Sequence, residues 1–341
     1  MATIVLCGGG TAGHIMPNIA LLPELHKHFD KIAYIGGDGM ETKLIPQYNL
    51  PFYKTSVVKL NRTHLMTNFA IPFALKGAIA EAKDILQMLD ADIIFSKGGY
   101  AALPTTFAGK KLGIPVITHE SDYSMGVANK LINMFSTATL TSFPETTGGE
   151  CLGTPIRESI TTGSAIKAQD KYPMLQNKPY ILIFGGSLGA QFINELVDKN
   201  ISKLTAQYNI IHISGSGEEL RTPSYIHLPF TKDIGDLMAL ADLVIMRGGA
   251  NSLAEVTALG KRAICIPLPK GASRGDQVEN AKSYAKRNLI TVLPQDITDI
   301  NILMGTMASL LLAPPPKPTG SGSNKKIVAR IMDIMAMHRK K

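Results

Sequence analysis

ATIVLCGGGTAGHIMPNIALLPELHKH (residues 2–28) and PYILIFGGSLGAQFINELVDKNISKLTAQY (residues 179–208) share one layout: a short apolar run, a glycine-rich turn, and an amphipathic helix pattern. Runs that are apolar at every position belong to strands buried on both faces, which is the habit of parallel sheets covered by helices. The glycines let the chain reverse tightly from strand into helix and let a ligand approach the backbone and the helix N-terminus. Finding this opening unit twice in one chain predicts two similar Rossmann-like halves.

Outward from these two segments the alternation continues. In the first half, apolar runs stand at Ile32–Ile35, Asp92–Phe95, Pro115–Thr118 and Thr137–Thr141, with helical patterns at Pro17 to His28 and Phe69 to Leu89 between them. In the second, runs follow at Asn209–Ser214, Tyr225–Leu228, Asp242–Met246, Arg262–Ile266 and Leu289–Leu293, and Ala190 to Tyr208 reads as one helix. Strands alternating with helices predict an α/β architecture with parallel sheets. The division expected is a first domain over 1–160, a polar linker over 161–178, and a second domain over 179–315. The turn-rich spacer PPPKPTGSGS then leads into a helix within 324–341 that packs back on the first domain.

Length and composition agree. At ~100–200 residues per domain, 341 residues suggest two domains. The 45% hydrophobic and 18% charged content excludes a disordered chain. The longest apolar stretch, Ile302 to Ala313, is short of the roughly 18–20 residues that cross a bilayer. The first residues read as a strand rather than a signal peptide. Cys7, Cys151 and Cys265 lie far apart, which fits a reducing cytoplasm and excludes a cysteine zinc site. The net charge is +8, of which +5 lies between Asn324 and Lys341. With no long basic run and no Trp, that charge suits an anionic membrane surface or a phosphate-bearing ligand better than nucleic acid.

Five segments carry candidate chemistry. GGGTAGH (Gly8–His14) also satisfies G-x-G-x-x-G. An NAD-binding reading needs an acid after the second strand, however, and Asp38 sits inside a further glycine cluster, GGDG. We therefore expect no NAD. His14 either packs and orders this turn or serves as a base, since an imidazole pKa of ~6.5 suits proton transfer near neutrality. SKGGY (Ser96–Tyr100) and GGSLGA (Gly185–Ala190) each follow an apolar run and read either as tight turns or as walls of a binding site at the carboxyl ends of strands. In MRGGANSLAEVTALG (Met246–Gly260), Asn251 or Ser252 with Glu255 reads as a helix cap or as a carboxylate for a ribose diol beside a diphosphate-holding helix N-terminus. In ASRGDQVENA (Ala272–Ala281), Asp276, Gln277 and Asn280 offer donors and acceptors for sugar hydroxyls, or form a solvated loop and cap.

GGGTAGHIMPNIALLPEL, SKGGYAALP, HESDYSMGVANK, LGTPIR, FGGSLGA, RGGANSLAE and ASRGDQVENA occur in this order. As an ordered set, over about residues 2–335, they resemble glycosyltransferase family 28, and within it the N-acetylglucosaminyltransferases of peptidoglycan synthesis in their Gram-positive form. The resemblance implies a GT-B fold, two Rossmann-like domains with parallel sheets facing across a cleft. It implies inverting transfer of GlcNAc from UDP-GlcNAc to the 4-hydroxyl of MurNAc in undecaprenyl-linked lipid I, giving lipid II. It also implies no metal, no cofactor, and work at the cytoplasmic membrane face as a peripheral protein.

Carried over by position, His14 is the implied base, with Glu120 and Asp122 as alternatives. Thr11, Ala12, Gly13, Asp122, Arg157, Ser187, Ser252, Glu255 and Gln277 fall on donor-binding positions, and Asp276 and Asn280 on sugar contacts. Gly98, Gly99 and Tyr100 form the acceptor or phosphate loop. Ala12 stands where many relatives have glycine, and Asp122 where the enterobacterial form has asparagine. Between Lys59 and Lys76, the apolar Met66, Phe69 and Phe73 with the basic Lys59, Arg62 and Lys76 read either as a loop and core helix or as a patch that half-inserts into anionic lipid. A UDP-GlcNAc 2-epimerase, another glycolipid transferase of the same family, or a nucleotide-sugar sensor without turnover are the rival readings.

Overall fold

Fourteen strands, counted among the described residues, make up two seven-stranded sheets. The computed structural model describes residues 2–57, 71–175, 177–186, 190–271 and 275–339. The chain divides into two units, Met1–Pro155 with Gly322–Lys341, and Ile156–Ser321.

The first unit runs β1 (Thr3–Cys7), α1 (Ala12–Leu25), β2 (Lys31–Gly36), α2 (Glu41–Leu44), β3 (Phe52–Lys54), α3 (Ile71–Leu89), β4 (Ile93–Ser96), α4 (Leu103–Leu112), β5 (Val116–Glu120), α5 (Val127–Asn133), β6 (Ala138–Thr141) and β7 (Glu150–Cys151). Its sheet order is β3-β2-β1-β4-β5-β6-β7, all parallel. Strand order reverses between β1 and β4, so the turns after these two strands flank the switch point, where ligands bind in such sheets. Apolar side chains fill both faces of the sheet: Ile4, Leu6, Ile93 and Phe95 lie on one side, Val5, Cys7 and Ile94 on the other.

The second unit runs α6 (Glu158–Thr161), α7 (Ala165–Lys171), β8 (Tyr180–Phe184), α8 (Gln191–Asp198), α9 (Ile201–Gln207), β9 (Asn209–Ile213), β10 (Leu220–Arg221), β11 (Tyr225–Leu228), α10 (Ile234–Leu240), β12 (Leu243–Met246), α11 (Ala250–Ala258), β13 (Arg262–Cys265), α12 (Asp276–Lys286), β14 (Thr291–Val292) and α13 (Ile300–Leu312). Its order is β10-β11-β9-β8-β12-β13-β14, parallel except for the edge pair β10–β11. The reversal falls between β8 and β12. The last helix, α14 (Ser323–Arg339), lies in the first unit. There Ile327, Val328, Ile331, Ile334 and Met335 complete the core that includes α1, and Asn324 Nδ2 donates to the Ala20 carbonyl at 2.8 Å.

Several boundaries differ from the sequence reading. The polar stretch 161–178 is not a connector between units. Ser164 caps α7 and donates its N–H to Asp236 at 2.7 Å, while Gly163 packs so closely that a Cβ there would lie 2.2 Å from the Gly235 carbonyl oxygen. This packing runs through backbone and glycine, so it leaves no apolar periodicity to read. Helix α1 begins at Ala12, with Pro17 and Pro23 inside it. The expected helix over Ala190–Tyr208 is two helices, separated where the Asn200 side chain donates to the Leu196 carbonyl at 2.9 Å.

Candidate active site

In the first unit, the turn after β1 is built around one carboxylate. Glu41 is 1% exposed, and its two oxygens accept from the N–H of Gly10 at 2.9 Å and of Gly37 at 3.0 Å. Tyr34 donates to the Gly8 carbonyl at 2.9 Å, and Asn18 Nδ2 donates to the Cys7 carbonyl at 3.2 Å. Gly8 and Gly10 take positive φ, which only glycine adopts freely. Thr11 then occupies the N-cap position of α1, and its hydroxyl lies 3.0 Å from His14 Nδ1. Thr11 and Gly13 are exposed, Ala12 and His14 half-buried. The Gly98–Gly99 turn closes against this loop: a Cβ on Gly99 would lie 3.2 Å from the Gly9 carbonyl and 3.5 Å from His14 Nδ1. A Cβ on Gly98 would meet Asn129, so that turn is interlocked with α5. Half-buried Tyr100 follows as a 3-10 turn.

The HESD segment ends β5. Glu120 accepts from Asp122 N–H at 2.9 Å, Gly126 N–H at 3.1 Å and Asn129 Nδ2 at 2.8 Å, so its carboxylate shapes the 121–129 loop that carries half-buried Asp122. His119 Nε2 lies 2.9 Å from the Gly153 carbonyl, which can only accept. That puts the ring proton on Nε2 and turns the Nδ1 lone pair toward Lys97 Nζ, which also donates to Ser121 Oγ at 2.7 Å. Lys97 is 1% exposed between these two neutral partners. Burial pulls its ammonium down to about 7, opposed by the charges of Glu120 and Asp122. Burial, with Lys97 beside it, also pushes His119 well below the usual imidazole range.

In the second unit, a cavity of about 420 Å³ opens at the β8/β12 reversal. It is lined by Gly185, residues of α8 including Glu195, and Arg247, Leu268, Gln277 and Gln295. Buried Arg247 donates to the Ile266 carbonyl at 3.0 Å and to Gln295 at 2.8 Å. The Gln277 amide oxygen accepts from Gly248 N–H at 3.2 Å and Leu268 N–H at 3.0 Å, which ties the turn after β12 to the turn after β13. Buried Glu255 is held by Arg157 in a bidentate pair, Nε to Oε1 at 2.8 Å and Nη2 to Oε2 at 2.9 Å.

The structure thus brings Arg157 next to Glu255 and sets Gln277 on the cavity wall, with Asp276 and Ser252 half-buried on α12 and α11. Two readings are corrected. Gly249, not Asn251 or Ser252, is the N-cap of α11, and no side chain caps it. Glu255 therefore lies in the second turn, paired with Arg157, so the capping box falls. Asn280 is fully buried and donates to the Gly248 carbonyl at 3.1 Å, a position inside the fold rather than toward a sugar. On α3, Phe73 is 80% exposed and Lys76 is exposed. Ser187, Lys59, Arg62, Met66 and Phe69 lie outside the described residues. Asp90 and Asp92 stand at the opposite end of the sheet, where Asp92 accepts from Thr3 N–H and Arg339. The sequence reading passed over Glu41 and the Lys97–His119–Ser121 cluster. An acid directly after GGDGM, and a lysine embedded between an apolar run and two glycines, were the available signals.

Residues 4–141 match the glycosyltransferase family 28 N-terminal domain and residues 180–334 the glycosyltransferase family 28 C-terminal domain. The chain is 39% identical over 319 residues to the UDP-N-acetylglucosamine–N-acetylmuramyl-(pentapeptide) pyrophosphoryl-undecaprenol N-acetylglucosamine transferase of Clostridium perfringens strain 13, covering 90% of this chain and 89% of the relative. It is 40% identical over 316 residues to the enzyme of the same name from Clostridium botulinum strain Loch Maree, covering 89% of each. Among solved structures, the crystal structure of Acinetobacter baumannii MurG superimposes with a TM-score of 0.75 at 24% identity, over 98% of this chain and 100% of the other. The UDP-GlcNAc 2-epimerase of Methanocaldococcus jannaschii does so with 0.64 at 13% identity, over 98% and 99%. These superpositions identify the fold as GT-B.

Proposed function

We infer the activity from one premise: the chain belongs to glycosyltransferase family 28. It transfers N-acetylglucosamine from UDP-GlcNAc to the MurNAc 4-hydroxyl of undecaprenyl-linked lipid I, producing lipid II for the cell wall. The observation that carries this is the 39–40% identity to transferases of that name over about nine-tenths of the chain. The epimerase reading rests on fold likeness at 13% identity, which speaks to architecture alone.

The division of labour follows from the chemistry of the two units. The second unit takes the donor nucleotide, with Ser187 and Ser252 for the diphosphate, Glu255 for the ribose diol, and Arg157 holding the Glu255 carboxylate from behind. Gln277 and Asp276 read the GlcNAc hydroxyls. Because the Gln277 oxygen is used by two backbone N–H groups, its NH₂ end is the part left for a sugar, so it acts as a donor. The first unit takes lipid I along Gly98, Gly99 and Tyr100, with Thr11, Ala12, Gly13 and Asp122 toward the transferred sugar.

Inversion is a single displacement at the anomeric carbon. The 4-hydroxyl attacks as its proton moves to His14, while the bond to UDP breaks. For Nε2 to be the base, Nδ1 carries the proton and donates to Thr11 Oγ1, which fixes the ring in the useful tautomer. The leaving diphosphate gains charge beside the second unit's turns, whose N–H groups and helix N-termini stabilise it without reorganising. The protein acts as a peripheral enzyme on the cytoplasmic, anionic face of the cell membrane, anchored through the 59–76 segment. No helix among the described residues is long and apolar enough to cross a bilayer.

Incubation with UDP-GlcNAc, with and without a lipid I analogue, tests the reading. UDP release only with acceptor, together with a new disaccharide lipid, is expected. Release of N-acetylmannosamine without acceptor, or binding with no turnover, overturns it.

A further inference from the structure

The glycines around Glu41 pose a question that backbone conformation does not answer. Gly9, Gly36, Gly37 and Gly39 all lie outside the positive-φ set, so ordinary residues could adopt their conformations. What these glycines lack is a Cβ, and the space is taken. A Cβ on Gly9 would lie 2.4 Å from Glu41 Oε1, one on Gly39 2.7 Å from Oε2, and one on Gly36 3.0 Å from the Glu41 Cγ. On Gly37 it would meet Val57 first, with Glu41 Oε1 at 3.3 Å. Two glycine turns, after β1 and after β2, are therefore shaped around one buried side chain.

That side chain is a costly thing to bury. Both oxygens of Glu41 are satisfied by backbone N–H groups, of Gly10 and Gly37. Two such bonds offset the loss of hydration only in part. A stability role alone would be met more cheaply by an apolar residue filling the same space. What the carboxylate supplies, and an apolar side chain cannot, is a fixed pair of acceptors that pins Gly10. Gly10 is joined directly to Thr11, the N-cap of α1, and the Thr11 hydroxyl meets the His14 ring at 3.0 Å.

We propose that Glu41 is a positioning residue for the transfer reaction, holding the first glycine loop from beneath so that Thr11 and His14 present the base at a fixed place. Its two-point acceptance sets the loop, and Gly9, Gly36 and Gly39 make the room for it. The proposal rests on the reading of His14 as the base of a glycosyl transfer. A displacement of about 1 Å in a reacting group costs on the order of 10²-fold in rate, so loosening this anchor acts on turnover rather than on the second unit's hold on UDP.

The test is a set of variants assayed for kcat and KM with UDP-GlcNAc and a lipid I analogue, and for UDP affinity. Glu41→Gln keeps the volume but places an NH₂ against one of the two N–H groups. It is expected to lower kcat at least 10-fold, with UDP affinity within 2-fold of wild type and the acid limb of the kcat–pH profile unmoved. Gly39→Ala leaves Glu41 chemically intact but intrudes on its carboxylate and on Gly10, where the new Cβ would lie 3.2 Å from the Gly10 Cα. It is expected to reproduce the same pattern, and it serves where Glu41→Gln does not fold. Glu41→Gln with kcat within 2-fold of wild type overturns the proposal, because a space-filling role is then enough. A vanished acid limb also overturns it, since Glu41 would then be titrating in the reaction itself. His14→Ala, run alongside, keeps the two claims apart: if it is fully active while Glu41→Gln is impaired, the base assignment fails and the anchoring of the loop stands.

Discussion

Replacing Glu255 by alanine separates two consequences that the structure makes distinct. The carboxylate is 8% exposed and its partner Arg157 is 25% exposed. Breaking a fully buried pair from one side costs about 3–5 kcal/mol, because the remaining charge is left unpaired. Here a quarter of the Arg157 side chain already reaches water, and solvent takes up part of that loss, so ~2–3 kcal/mol of second-unit stability is the expected cost. For a unit of this size that corresponds to a melting point lower by roughly 5–10 °C. Ligand binding is the second consequence. Each carboxylate oxygen offers two lone pairs, and Arg157 uses one on each. The other two suit the 2′- and 3′-hydroxyls of a ribose. Losing charged hydrogen bonds of ~1.5–3 kcal/mol should weaken UDP binding by about 2 kcal/mol, roughly 30-fold in Kd.

Calorimetric titration with UDP and calorimetric melting read the two effects separately. Arg157→Ala should weaken UDP binding too, by about tenfold, because Arg157 backs the carboxylate while the ribose takes the outer lone pairs. In the stability cycle, the double variant should show a coupling of about 1–3 kcal/mol between the two positions. Unchanged UDP affinity in a folded Glu255→Ala protein refutes the ribose assignment. Tighter UDP binding in Arg157→Ala refutes the shared-carboxylate geometry, because Arg157 would then be competing with the nucleotide.

His14→Ala should cut turnover on a lipid I analogue by at least ~10²-fold with UDP-GlcNAc affinity retained, and retention of more than about a tenth of the wild-type rate moves the base to Asp122. Glu120, with three donors already on it, is the weaker alternative. Lys97 has its folded pKa pulled from 10.5 to about 7. Between those values the unfolded chain binds the extra proton, so stability should rise with pH from about 7 to 10.5, by at most ~1.4 kcal/mol per unit. Lys97→Met should flatten this rise in denaturant titrations at pH 7 and 9.5, and an unchanged slope refutes the assignment. Phe73→Ser combined with Met66→Ser and Phe69→Ser should reduce co-sedimentation with phosphatidylglycerol vesicles while UDP affinity holds, and equal sedimentation removes this segment from the membrane contact.

Legibility in the sequence tracked the range of the interaction involved. The strand–glycine–helix units at the start of each half and the buried strands between them were readable because a strand apolar on both faces writes itself into four or five consecutive residues. Strands β3, β7 and β10 span two or three residues each and leave too short a pattern, whereas the equally short β14 falls inside the run read at Leu289–Leu293. The unit boundary was misplaced because the 156–175 segment packs through Gly163, Gly235 and short polar helices. Glu255 illustrates a different failure. Ser252 and Glu255 have the spacing of a capping box, but Arg157, nearly a hundred positions earlier, claims the carboxylate, and nothing local announces such a pair. Asn280 looked polar and available in a loop-like segment, whereas α12 turns it into the interior.

Each unit's strand order reverses beside its first strand, yet the two treat the turn at that switch point in different electrostatic ways. Beneath the first turn lies a carboxylate, Glu41, with the Gly10 N–H already bound to it. A diphosphate there would meet a buried negative charge and one backbone donor fewer. The corresponding place in the second unit opens onto a cavity with the Arg247 guanidinium in its wall. The same lining carries Glu195; in the proposed function the nucleotide diphosphate meets the Arg247 side, and the first turn is left to a neutral reaction partner, a sugar hydroxyl facing a base. Lys97 sits under the neighbouring turn beside Gly98, hydrogen-bonded to the neutral His119 and Ser121 and within the field of Glu120 and Asp122. The proposed acceptor, which carries its own diphosphate, would place it on the Gly98–Gly99 side, away from the Glu41 carboxylate under the Gly8–Gly10 turn. On the proposed function, the two glycine turns of the first unit would divide the acceptor between them, one taking its charge and the other its reacting hydroxyl.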